Sequence, residues 1–134
     1  MDSHPTPLEA VKALWAAWEK SGAEGVLRHM SPDAEWVSYE GRTYRGREEV
    51  QAYVTELRNH DVHMEPRPYS FEPHGDDCVI VAGGLRTRSR RGLSDVQRHW
   101  LYRVRDGEIT HVESLSSRED ALRAAERVCR PAAA

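Results

Sequence analysis

The stretch "HWLYRVRDGEITHVESL", His99 to Leu115, constrains this chain more than any other. Trp100 and Tyr102 stand two apart, Asp106-Gly107 follows, and a second alternating run comes after it. A period of two belongs to a half-buried strand and does not suit a helix. Asp-Gly between two such runs marks a tight hairpin turn. The stretch therefore demands an antiparallel pair with Trp100 and Tyr102 on one face. Whether these two side chains fill a closed core or line a ligand pocket is the question on which function turns.

The neighbouring segments extend the pair into a sheet. "HDVHMEPRPYSFEP", "DCVIVAGGLRTRSR", "SDVQRHWLYRVR" and "EITHVESLS" read as four strands of an antiparallel meander. They are joined at His74-Gly75-Asp76, Arg91-Gly92-Leu93 and Asp106-Gly107. Pro66 and Pro68 put the first of these strands at an edge or a bulge. Upstream, "TPLEAVKALWAAWEKSG" has a candidate cap at Thr6, a proline at the first helical position and an apolar stripe of Leu8, Val11, Leu14, Trp15 and Trp18. Gly22 ends that helix. A short second helix, "AEGVLRHM", is expected to stop at Ser31-Pro32. "AEWVSYE" reads as a strand, with Trp36 and Ser38 on one face and Val37 and Tyr39 on the other. A third helix restarts after Gly46 with Val50, Tyr53, Val54 and Leu57 as its buried stripe, and "SREDALRAAERV" closes as a helix capped by Ser117. Helices grouped before an antiparallel run indicate an α+β fold. The expectation is a single domain over 1–134: a curved antiparallel sheet wrapped around three helices, enclosing a cone-shaped pocket, with a C-terminal helix.

Composition narrows the function classes. A net charge of −3 exerts no global pull on nucleic acid or anionic lipid, and no apolar run reaches membrane length. The basic cluster "RTRSRRG" reads as a solvated hairpin tip, since nucleic-acid binding needs a broader basic footprint. No secretion signal is visible at the N-terminus, so a cytoplasmic protein is expected. Cys78 and Cys129 are then expected to be free and buried. The tail "RPAAA" is expected to fray. His60 and His63 in "HDVH" point to opposite faces of an extended chain and lack a third partner, so neither a metal nor a cofactor is expected.

Three motifs in order carry a resemblance. "SPDAEW" at 31–36 resembles a Pro-Asp-x-x-Trp entry into a first strand. "YRGREEV" at 44–50 resembles a Tyr-x-Gly-x-Glu-x-apolar helix start. "RDGEI" at 105–109 with "SREDALRAA" at 117–125 resembles a last hairpin and terminal helix. Together they resemble the nuclear transport factor 2-like superfamily, in the branch of the ketosteroid isomerases and SnoaL-like polyketide cyclases. The resemblance implies a curved sheet around a conical pocket, often dimeric through the outer sheet face. It also implies positions for the isomerase machinery, which here hold Ser38, Trp100 and Leu14. These side chains cannot supply a carboxylate base and two enolate donors, which argues against proton-transfer isomerisation.

The inward set under this resemblance is Trp15, Trp18, Trp36, Ser38, Tyr53, Arg98, Trp100, Tyr102, Val112, Ser114 and Ser116. An apolar wall with a few placed polar groups suits a ligand site, whereas tryptophans plugging the cone would make it a core. His29 and Glu40 are the candidate proton carriers, His29 being more readily read as a hydrogen-bonded core residue. His99, Leu101, His111, Glu113 and Leu115 should face outward, toward solvent or a second subunit. Three readings follow: an enzyme of cyclase, hydrolase or dehydratase type acting on a small hydrophobic oxygenated molecule, a non-catalytic pocket for such a molecule, or a protein-interaction domain with a plugged cone.

Overall fold

The computed structural model describes residues 4–59 and 63–131. Helix α1 (Pro7–Ser21) begins in a full capping box: the Thr6 hydroxyl accepts from the Glu9 N–H at 3.1 Å and the Glu9 carboxylate accepts from the Thr6 N–H at 2.9 Å. Helix α2 (Ala23–Arg28) packs tightly against it, and a Cβ at Gly25 would stand 2.4 Å from the Ala17 carbonyl oxygen. Strand β1 (Met30–Val37) follows at once. Ser31-Pro32 therefore lies inside a strand, and α2 has already ended at Arg28. A short strand β2 (Thr43–Arg45) was not foreseen, and helix α3 (Gly46–Asn59) starts where expected. Val50 and Val54 of its stripe are buried, while the side chain of Leu57 lies outside the described residues, as does His60.

Strands β3 (His63–His74), β4 (Cys78–Ser89), β5 (Gly92–Arg105) and β6 (Glu108–Leu115) form the expected meander. Asp106 and Gly107 both adopt positive φ, at 52° and 81°, which suits the right-handed twist of the strands they join. The β4–β5 turn sits slightly earlier than expected, because Ser89 pairs with Gly92. The six strands lie in the order β2-β1-β6-β5-β4-β3, which leaves β3 at an edge with its register shifted between Pro68 and Ser70. The sheet is mixed: β1 runs parallel to β6, and its other neighbours are antiparallel. Opposite the β3 irregularity, a Cβ at Gly83 would stand 2.2 Å from the Arg67 carbonyl oxygen, an approach only glycine permits.

The two faces of the sheet are covered differently. Val79, Val81, Trp100, Tyr102 and Val112 face α1, α2 and α3 across the main core. Cys78, Ile80 and Leu101 face the other way, onto helix α4 (Arg118–Val128). The outward surface expected of Leu101 and Glu113 is thus covered by the chain's own helix, and both are buried. The fully buried part of the α4 face is Ala121, Ala124 and Ala125, each adding about 0.8 kcal/mol per buried methyl, with Leu122 and Val128 partly buried beside them. A disulfide from Cys78 to Cys129 fastens its C-terminal end, so the two cysteines are neither free nor separate. Arg130, where fraying was expected, donates its backbone N–H to Asp77 at 2.8 Å, while 132–134 lie outside the described residues.

Candidate active site

A cavity of about 650 Å³ opens on the inner face of the sheet. Alternation along β5 places Arg98, Trp100 and Tyr102 in its wall, and β6 adds Ser114. Helix α1 contributes Trp15 and Trp18, β1 contributes Trp36, and α3 contributes Tyr53. The aromatic side chains brace one another. Trp15 meets Trp100 edge-on with ring centroids 5.1 Å apart, Trp36 tilts against Tyr53 at 5.8 Å, and Tyr53 stacks on Tyr44 at 4.3 Å. Such contacts fix the wall without filling the space in front of it.

Of the expected inward set, three residues do not line the cavity. The Ser38 hydroxyl accepts from the Arg42 N–H at 3.2 Å, closing the β1–β2 turn, and is buried in that role. Val112 lies fully buried in the floor, between Trp36 and Tyr102 in the strand register. Ser116 falls beyond the end of β6, where its hydroxyl donates to the Asp120 carboxylate at 3.0 Å. Of the two candidate proton carriers, Glu40 lines the cavity and His29 does not. His29 is the cap residue of α2, and its carbonyl accepts from the Ile109 N–H at 2.9 Å.

The turn that Ser38 closes carries Tyr39 and Glu40 to the mouth. Tyr39 was assigned to the opposite face because alternation was continued past Val37, where the strand ends. The Arg98 guanidinium sits over its ring, 3.8 Å from the centroid. Glu19 from α1 and Glu65, Pro66, Arg67 and Leu85 from the β3–β4 edge complete the rim. The β3–β4 contribution depends on how far the sheet curls, which has no period in the sequence.

The phenols in the wall hold their protons. Burial, and after it the nearby Glu40 charge, push the Tyr53 hydroxyl up to about 12. Burial likewise pushes Tyr102 up, and the neighbouring Trp15 N–H opposes the shift without reaching hydrogen-bond geometry. Both phenols are donors at neutral pH and neither is a base. The indole N–H groups of Trp15 and Trp36 are buried without a partner. The inner wall thus offers donors, and the carboxylates are confined to the rim.

A family model describing a SnoaL-like domain matches residues 11–112. The chain belongs to the SnoaL-like domain family. Solved structures agree on the fold. An NTF2-like protein of unknown function from Burkholderia pseudomallei is 22% identical, with 87% of this chain and 95% of that one covered and a TM-score of 0.72. TerC, co-crystallised with polyporic acid, is 27% identical over 90% of this chain and 98% of its own, at a TM-score of 0.68. RV0760c of Mycobacterium tuberculosis, in complex with estradiol-17beta-hemisuccinate, is 21% identical over 81% and 92%, at 0.66. None of the curated proteins matches the sequence.

Proposed function

We propose that this SnoaL-like protein binds a small hydrophobic oxygenated molecule in its conical cavity. The observation that carries the reading is the open cavity of about 650 Å³ walled by braced tryptophans and tyrosines. The apolar rings supply contact area, while Ser114, Arg98 and Tyr102 orient the oxygens. TerC and RV0760c, which share the fold, hold polyporic acid and a steroid hemisuccinate.

A catalytic version rests on one further observation: Glu40 stands at the mouth, close enough for its charge to act on Tyr53. In a cyclase, hydrolase or dehydratase, Glu40 is the proton carrier and the wall phenols hold the substrate. A homodimer would use the part of the outer sheet face that α4 leaves uncovered.

Titrating the protein with polyporic acid and estradiol-17beta-hemisuccinate, followed by tryptophan fluorescence, tests the binding reading. Saturable quenching that Trp36→Leu weakens at least about tenfold, some 1.4 kcal/mol, supports it. Emission unchanged by either compound to millimolar concentration speaks against it. With a substrate in hand, Glu40→Gln separates the catalytic version, which predicts lost turnover with binding retained.

A further inference from the structure

Helix α4 is held on the outer sheet face at both ends, but only one end is held covalently. At its start the Arg118 guanidinium pairs with the Glu72 carboxylate of β3. Along its length α4 presents alanines to Ile80 and Leu101, with Leu122 and Val128 partly buried beside them, and alanine has the least apolar surface with which to hold a helix in place. At its C-terminal end the fastenings crowd together. Cys129 caps the helix and is bonded to Cys78 at the start of β4. One residue on, the Arg130 N–H donates to the Asp77 carboxylate, and the Arg130 carbonyl accepts from the Asp76 N–H at 3.1 Å. Asp77 is held in turn by Arg103 at 2.9 Å. The Arg127 guanidinium reaches the buried Glu113 at 2.9 Å. Cys78 is buried, whereas Cys129 is partly exposed and open to attack.

We infer that the Cys78–Cys129 disulfide is a redox latch: its reduction frees α4 from the sheet and uncovers the apolar strip of Ile80 and Leu101, while the cavity side of the fold stays intact. The chemistry needs a dithiol. One thiolate of the reductant attacks Cys129 Sγ and displaces the Cys78 thiolate, forming a mixed disulfide. The second thiolate closes the reductant's ring and releases the Cys129 thiolate. Two electrons and two protons pass to the protein as two thiols, and the reductant leaves as a cyclic disulfide. The latch does not depend on what the cavity binds, because the main core lies on the other face and is built from other residues.

The test compares oxidised protein with protein reduced by dithiothreitol in native buffer. Arg123 and Arg127 on α4 are exposed trypsin sites, protected while the helix is folded and docked. Reduction is expected to speed cleavage there at least about tenfold, while the near-ultraviolet circular dichroism of the Trp15–Trp100 pair is unchanged. Cys129→Ser, without reductant, should match the reduced protein. Unchanged cleavage in α4 would overturn the latch. So would loss of the tryptophan signal alongside cleavage, since the disulfide would then be holding the whole fold.

Discussion

The two faces of β4, β5 and β6 are made by neighbouring residues of the same strands, yet they are finished in opposite ways. On one face Trp100, Tyr102 and Ser114 look into a space of about 650 Å³ and two indole N–H groups have no partner. On the other, Leu101 is fully buried, and Glu113 is met by both His111 at 3.1 Å and Arg127 at 2.9 Å. Native interiors satisfy nearly all their buried polar groups, and the idle donors of the inner face belong to tryptophans that line open space. On the outer face one polar atom, His99 Nδ1, is also buried without a partner among the described residues, but His99 borders no such cavity.

The contrast has measurable consequences. The largest effect belongs to the outer face: Cys129→Ser opens a loop spanning 51 residues, which the chain-entropy account values at up to about 4 kcal/mol, read as faster amide hydrogen exchange in α4. Leu101→Ala should cost about 3 kcal/mol, because a fully enclosed side chain leaves a void behind. Trp100→Ala removes a larger side chain but borders space that already exists, so its expected cost, about 3 kcal/mol, sits at the low end for a buried tryptophan. A Trp100→Ala penalty at the high end, about 5 kcal/mol, would mean that the ring has no open space in front of it.

The smallest effect is a pH dependence at His99, on the outer face. Burial, and then the Arg118 charge, hold its imidazole below the ordinary 6.5. Protonation therefore favours the unfolded chain. Stability is full above 6.5 and is lost as pH falls from there toward the lower folded value. His99→Gln should flatten the urea midpoint between pH 7.5 and 5 relative to wild type. A variant that declines in parallel with wild type would assign the acid sensitivity to other groups.

Much of this was legible in the sequence where a local period or cap enforces it. The Thr6 cap, the Asp106-Gly107 turn and the alternation through Trp100 and Tyr102 are each decided within a few residues. Alternation also put Arg98 in the wall, and the family resemblance added Ser114. What failed was non-local. Two lone cysteines, 51 residues apart, carry no spacing signal, and the bond depends on α4 folding back over β4. The alanine face of α4 hid its target, since Ala121, Ala124 and Ala125 name no partner. Ser38 was misplaced for the opposite reason: a turn closes one residue after the strand ends, and local hydrogen bonding overrides the period.

The parallel pairing of β1 with β6 sets the order in which this molecule can come into being. The ribosome delivers β1 well before β6. Until β6 emerges, Trp36 on β1 is not joined to the β3–β5 meander that sets Trp100 against Trp15, so the growing chain holds its future cavity wall in two parts. β6 joins the two parts, and Cys129 follows it out. Chain order thus lets the inner face form before the outer face is sealed.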